Sequence, residues 1–444
     1  MSDEPSKNAR RARYARSQYR AQSHDSAHAA AEEEAQALAD ESGGGRTHHP
    51  LAPRGPASVV TAPDALSELV AHLRASGSFG YDSEFIGELT YTPKLCLIQV
   101  ASATRVALID PLAGLELREF WELIADPVVD KIVHAGQQDI EPVFRNIGRA
   151  AANVFDTQIA TGFIGMAYPV ALGKLVQELV GVRLGKALTF SHWDQRPLSA
   201  IQLRYAADDV RYLPALRSEI GKRLDATSHA AWAKEESESL CDPAQYGFNP
   251  DTYYQRVRGA TSLPPQGLAV LRELTIWRDA VARKHDVPPR AYLKDEILLD
   301  LSRSPAKSVD RLGKVRGLPR PVEQEDGADI VAATLRGLAT PAAKLPASRT
   351  VEPSPAERFR VDALWAAAQC LCSGRSIDAA LVTSRQEIGE FYRAASNGGE
   401  LESLHLMKGW RRAALGEPLA RLMRGESPFG VSWEGGTLAV SPSR

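Results

Sequence analysis

The spacing of apolar positions changes character several times along the chain. From about residue 62, DALSELVAHLRAS carries its apolar side chains at helical intervals, and FGYDSEF, LCLIQVAS and RVALIDP then form three β-type runs separated by short turns. These three are expected to pair as a meander. Helix REFWELIAD, strand KIVHAG, helix QQDIEPVFRNIG and strand NVFDTQ follow in alternation, the rhythm of a partly parallel sheet with crossover helices. The pattern predicts a mixed α/β domain over residues 56–235, a sheet with flanking helices.

After a linker at 236–262 the strand pattern fades. In GLAVLRELTIWRDAVARKH, Leu268, Leu271, Leu274 and Val281 fall on one helical face, and shorter helical segments continue to residue 342. A proline-bearing linker, 343–356, leads to RFRVDALWAAAQCLC, ALVTSRQEIGEFYRA and GWRRAALGEPLARLMRG within 357–444. Both blocks predict all-α helical bundles of similar size, without an evident residue-level repeat. Residues 1–55 run from a basic stretch through an Ala/Glu stretch into GGGRTHHPLAPRGP, a composition that buries too little apolar surface to offset ordering entropy. A solvated tail is expected there.

Composition adds less than pattern does. The 444 residues are 44% hydrophobic, as in chains with true cores, and the four cysteines lack paired metal-ligand spacing and read as reduced packing residues. No apolar run has membrane-spanning length and the N-terminus carries no secretory stretch, so the expectation is a cytoplasmic protein with no membrane partner. Nothing calls for an obligate protein partner. A net charge of -2 does not advertise phosphate binding, but the average hides segregation: residues 265–320 hold twelve basic and seven acidic side chains, and acidic EQEDGAD follows.

The acids are where chemistry enters. In FGYDSEF, Asp82 and Glu84 share one face of a strand while Phe79, Tyr81 and Phe85 take the other. Burying adjacent carboxylates demands a proton, a basic partner or bound cations, whereas a solvated strand end would tolerate them freely. Asp139 follows a short strand at a helix start, where a negative charge also suits the helix dipole. Tyr205 and Asp209 lie four apart on one helical face, as a surface pair would, and Asp208 competes with Asp209. Together these are hard oxygen donors on separate elements of one domain, a set that suits Mg²⁺ or Mn²⁺ better than zinc.

The order D-x-E in DSEF, H-x-x-x-x-D in HAGQQD and Y-x-x-x-D in YAADD resembles the DEDDy 3′-5′ exonucleases, and DSEFIGELTYTPKLCLIQVA, FDTQIA and HWDQRPLSAIQLRYAADDVRYL resemble the ribonuclease D family over roughly residues 60–225. The resemblance implies a ribonuclease-H-like exonuclease fold with two divalent cations, Mg²⁺ or Mn²⁺. It implies that Asp82, Glu84, Asp139 and Asp209 ligate them and that Tyr205 positions the attacking water, all five being catalytic. The tyrosine-to-acid spacing selects Asp209 over Asp208. Asp156 reads as a helix cap, and His134 as a packed strand-end residue.

Lys186, Trp193 and Arg196 match the family text as lining of a substrate groove, although Trp193 and Arg196 could equally hold the loop before the Tyr205 helix. The two helical blocks resemble helicase-and-ribonuclease-D C-terminal (HRDC) domains. In the second, Lys408, Arg411 and Arg412 at i, i+3 and i+4 could face RNA phosphates, or could be an ordinary solvated stripe. The layout implies a 3′-5′ exoribonuclease that releases nucleoside 5′-monophosphates from the 3′ ends of transfer-RNA precursors and other structured RNAs. The alternatives are a DNA 3′-5′ exonuclease of repair, against which the lack of any polymerase or helicase segment weighs, and an inactive RNA-binding module, against which the intact five residues weigh.

Overall fold

Helix α1 (Pro63–Ser76) begins with proline at its first turn and Asp64 beside the positive end, buries Leu66, Leu69, Val70 and Leu73 as one stripe, and stops where Gly77 turns left-handed at φ 69°. The chain then enters β2 (Ser78–Ile86), which follows the edge strand β1 (Ser58–Val60) and precedes β3 (Lys94–Ala101) and β4 (Val106–Ile109). Helices α2 (Arg118–Ile124) and α3 (Gln137–Ile147) flank β5 (Asp130–Val133), and β6 (Val154–Asp156) completes a six-stranded sheet in the order β1-β4-β3-β2-β5-β6. Strands β2, β3 and β4 form the expected meander, β3 and β4 antiparallel, while β1 joins β4, and β5 joins β2 and β6, in parallel. Edge strand β1 has only Val60 buried, too little pattern to announce a strand.

The computed structural model describes residues 49–87, 89–185, 192–346, 354–426, 429–434 and 437–442. The described residues group into two units, 49–84 with 96–246 and 354–442, and 85–95 with 247–346.

The first unit holds the sheet. Its remaining helices are α4 (Thr157–Thr161), α5 (Leu172–Val180), α6 (Ala200–Arg211), α7 (Leu213–Thr227) and α8 (Ala230–Ser239). Helix α6 starts at a capping box, Ser199 accepting from the Gln202 backbone while the Gln202 side chain accepts from the backbone of Ser199. Gly80 lets α6 and α7 approach β2: a Cβ there would stand 2.8 Å from Leu213 Cβ and 3.0 Å from the Val210 carbonyl. His49–Gly55, placed in the tail by composition, run against these helices, with Ala52 buried and the Arg211 guanidinium donating to the carbonyls of Pro53 at 2.7 Å and Gly55 at 3.1 Å.

Residues 354–442 share the core of this unit. Leu364, Ile388, Phe391, Trp410 and Leu419 pack in one apolar cluster with Phe163, Val210, Leu216 and Ile220. Its longer helices, α9 (Pro355–Ser373) and α10 (Arg385–Ser396), are followed by a helical run that passes through a π turn at Arg412–Gly416 and ends at Met423. The expectation of an all-α block is corrected at its end, where β7 (Phe429–Glu434) and β8 (Thr437–Pro442) pair antiparallel. The alternating run FGVSWE, followed by Gly-Gly and TLAV, is a hairpin signature that the preceding helical pattern overshadowed.

The second unit is a helical bundle. Helix α11 (Pro265–His285) packs against α12 (Asp295–Arg303) and α13 (Arg320–Leu338) around Leu268, Leu271, Leu274, Trp277, Leu298 and Ile330. Tyr91 belongs to it, donating its hydroxyl to Asp279 at 2.7 Å.

Candidate active site

Strand alternation turns Asp82 and Glu84 towards α6 and turns Tyr81 and Ser83 towards α3. On the α6 side, Asp82, Glu84 and Asp209 converge, with one carboxylate oxygen from each lying within 4.8 Å of the others. All three are half-buried. Tyr205, one turn before Asp209, hydrogen-bonds to it through its hydroxyl. Three charges this close in partial burial resist ionisation. Desolvation first, then the neighbouring acids, push Asp82 and Asp209 up to about 7 and Glu84 to about 9. Desolvation and the same carboxylates raise Tyr205 well above its usual range, so its hydroxyl stays protonated at neutral pH.

Asp139 reaches the site from the other side of β2. Its side chain is buried, 7% exposed, and its Oδ1 accepts from Ser83 Oγ at 2.5 Å while its backbone carbonyl accepts from the Tyr81 hydroxyl at 2.6 Å. It therefore stands outside the three-oxygen group, yet burial and the nearby charge of Asp82 raise its carboxyl well above the ordinary range. Sequence reasoning did not single out Ser83. The signal was its place between the two acids, on the face opposite theirs.

The donor set is all carboxylate oxygen, and the principal influences on these groups are desolvation and one another, partly offset by local hydrogen bonds. This chemistry fits divalent cations, which supply the counter-charge that the acids lack. A pH dependence follows. Because the folded carboxyls titrate higher than unfolded ones at about 4, the metal-free fold binds extra protons, and this contribution to stability is present at low pH. It is lost as pH rises through about 7 for the aspartates and about 9 for Glu84. In EDTA the melting temperature is expected to fall between about pH 5 and pH 8, and added Mn²⁺ is expected to restore it with release of protons. Scanning calorimetry, beside a Glu84→Gln chain in which the slope is reduced, checks this; a slope that the substitution leaves untouched would assign it to other groups.

The surrounding candidates sort by their partners. Asp208 pairs with Arg211 at 3.1 Å rather than joining the acids. Asp156 caps α4, accepting from Gln158 and Ile159, and also receives the backbone N–H groups of Ala135 and Gly136. His134 is held between Thr157 at 2.9 Å and the Val170 carbonyl at 3.0 Å. Trp193 is buried, its ring 6.2 Å from that of Tyr205. Arg196 forks onto Asp110 with two contacts of 2.6 Å and also donates to the carbonyls of Cys96, Trp193 and Gln195. The Arg196 side chain thus braces the segment before the Tyr205 helix, and Trp193 lies buried within that segment beside the Tyr205 ring. Asp110, which anchors that brace, was not among the candidates.

Lys186 lies outside the described residues. Arg411 is engaged internally, donating to both Glu236 oxygens at 2.6 and 2.7 Å. Arg412 pairs with Glu402 and Glu417, and Lys408 is exposed. The expected basic stripe is thereby broken: its residues share helical spacing, but Arg411 turns inward.

A family model for 3′-5′ exonucleases matches residues 57–225, and one for HRDC domains matches residues 267–334. Ribonuclease D of Gluconacetobacter diazotrophicus is 34% identical over 379 residues, covering 84% of this chain and 94% of that protein. Ribonuclease D of Granulibacter bethesdensis is 34% identical over 381 residues, with the same coverage, 84% and 94%. The crystal structure of Escherichia coli RNase D, described as an exoribonuclease involved in structured RNA processing, superposes with a TM-score of 0.72 at 27% identity, covering 84% of this chain and 99% of that one.

Proposed function

From the premise that this chain belongs to the ribonuclease D family and is a 3′-5′ exoribonuclease, we propose that it trims the 3′ ends of transfer-RNA precursors and other structured RNAs with two Mg²⁺ or Mn²⁺ ions, releasing nucleoside 5′-monophosphates. The observation that carries the reading is the convergence of Asp82, Glu84 and Asp209, from a strand and a helix, onto one point with Tyr205 beside them. Asp82, Glu84, Asp139 and Asp209 would hold the cations. Bound there, divalent cations supply Lewis acidity for water and counter-charge for the phosphodiester oxygens. A cytoplasmic site of action belongs to the same reading; among the described residues no helix is long and apolar enough to cross a membrane.

The chain's own groups do the positioning. The Tyr205 hydroxyl, protonated and fixed to Asp209, can orient a water beside the acids but cannot act as a base in that state. The Trp193 ring lies beside that of Tyr205, with the two ring centroids 6.2 Å apart. The Tyr205→Phe chain is expected to lose about a hundredfold in kcat with KM nearly unchanged. Near-normal turnover would remove the orienting role.

The test of the whole reading is a time course on a 5′-labelled, 3′-extended transfer RNA beside a matched single-stranded DNA, in Mg²⁺, Mn²⁺ or EDTA. A metal-dependent ladder that shortens RNA from its 3′ end is the expected result. Preference for the DNA would overturn the substrate assignment, and full turnover in EDTA would overturn the metal assignment.

A further inference from the structure

The expected basic stripe at 408–412 is broken, but a different face of the same block gathers arginine. Between α9 and α10 lies a pocket of about 250 Å³ lined by Arg358, Val361, Arg385, Gln386, Gly389 and Arg393. Val361 is buried and forms its floor. Gly389 leaves room above: a Cβ at that position would stand 3.7 Å from the Arg393 guanidinium and 3.7 Å from Val361.

Next to Arg358 in the chain, Phe359 is 74% exposed, an unusual position for a phenyl ring, and Arg360 follows it. Among the four arginines here, Arg385 pairs with Asp362 at 2.5 Å and Arg393 with Glu357 at 3.4 Å. Arg360 donates only to the Tyr392 hydroxyl, at 3.3 Å, and Arg358 has no side-chain partner among the described residues. The face therefore sets four arginines against three acids, Glu357, Asp362 and Glu390, and carries a net positive charge. Gln386 donates to Glu390 at 3.2 Å.

We propose that this arginine-rimmed pocket, with Phe359 at its edge, is an RNA-binding site separate from the acid cluster, the guanidinium groups taking backbone phosphates and the phenyl ring stacking on an unpaired base. Exposed ion pairs contribute little to stability, so a phosphate can displace Asp362 or Glu357 at small cost. Arginine forks match phosphate oxygens bidentately, and exposed aromatic rings provide sequence-tolerant stacking for single strands. An acidic peptide would use the arginines but leaves Phe359 without a role. The nature of the ligand rests on the exoribonuclease reading. The site would hold RNA bodies of many sequences, because neither a phosphate nor a base face carries sequence information.

The experiment is fluorescence anisotropy with the full chain in EDTA, where no metal-dependent turnover consumes the probe, using a labelled hairpin RNA with an unpaired extension across a salt series. Arg358→Glu and Phe359→Ala alter exposed side chains that make no hydrogen bond or ion pair among the described residues, and circular dichroism with thermal melting verifies their fold. Arg358→Glu is expected to weaken binding about tenfold and to flatten the salt dependence by about one phosphate contact. Phe359→Ala is expected to weaken it about fivefold or more for the extended hairpin, and less for a blunt one. Wild-type affinity in both variants overturns the proposal, as does Arg358-dependent binding of polyglutamate that exceeds binding of RNA, which would make the face a protein-docking surface. Because binding is read without catalysis, the two readings fail separately. An intact RNA ladder with unaltered variant binding sinks only this site, and an absent ladder with Arg358-dependent RNA binding sinks only the catalytic reading.

Discussion

Asp82→Asn is expected to abolish 3′ trimming while leaving the chain folded and, without metal, more stable than the unaltered protein. Asp82 has carboxylate neighbours on both sides: Asp209 and Glu84 converge on it within 4.8 Å, and its charge also raises Asp139. Removing that charge relaxes Glu84, whose upward shift owes more to Asp82 than to any other charged neighbour. The same removal takes away a ligand from the only carboxylate triad of metal-holding geometry among the described residues. Losing several kcal/mol of charge stabilisation corresponds to a rate loss of at least about a thousandfold. Rates on a 5′-labelled RNA, and melting temperatures in EDTA and in Mn²⁺, read both halves of the expectation. A variant that is inactive and also unfolded would fail it, as would one that retains a tenth of the rate.

The largest loss of stability is expected from Trp410→Ala. The ring is 3% exposed, meets Phe163 edge-to-face at a centroid distance of 4.7 Å, and lies 6.2 Å from Trp232. Its Nε1 donates to Glu236 at 2.6 Å, its backbone N–H to Glu235 at 2.9 Å, and the Arg411 guanidinium lies 4.5 Å over its face. Truncation removes a large buried ring, deletes a donor to a half-buried carboxylate and loosens the arginine that grips the same carboxylate. A cost of about 3–5 kcal/mol is expected, on the order of ten degrees in melting temperature. The sheet and the final helical block share this core, so they are expected to melt together at the lower temperature. Urea unfolding followed by two probes, Trp fluorescence and far-ultraviolet dichroism, checks the cooperativity. Separate transitions would show the shared core to be energetically minor.

Much of this molecule was legible from periodicity because its strands and helices bury apolar residues at regular intervals. The β2–β4 meander, the α6 face carrying Tyr205 and Asp209, and the Leu268–Leu271–Leu274 stripe all follow from spacing alone. What spacing cannot express is which partner a polar side chain finds. Arg196 and Arg411 share with surface arginines every feature visible in one dimension, yet each turns to a carboxylate far along the chain, Asp110 and Glu236. The packing of the last block onto the sheet unit was equally hidden, since an amphipathic helix does not say whose apolar face it meets. Edge strand β1, with a single buried side chain, lies below what alternation can reveal.

The shared core also has a meaning in time. Phe163 leaves the ribosome roughly 250 residues before Trp410, the partner that covers it edge-on. At translation speeds of about 5–20 residues per second, the nascent sheet unit waits on the order of 12–50 s with part of its apolar surface uncovered. During that interval the chain exposes apolar surface that residues 354–442 later cover, the kind of surface on which partly made chains aggregate. Synthesis of that block is therefore the step at which this part of the nascent core is closed off from water.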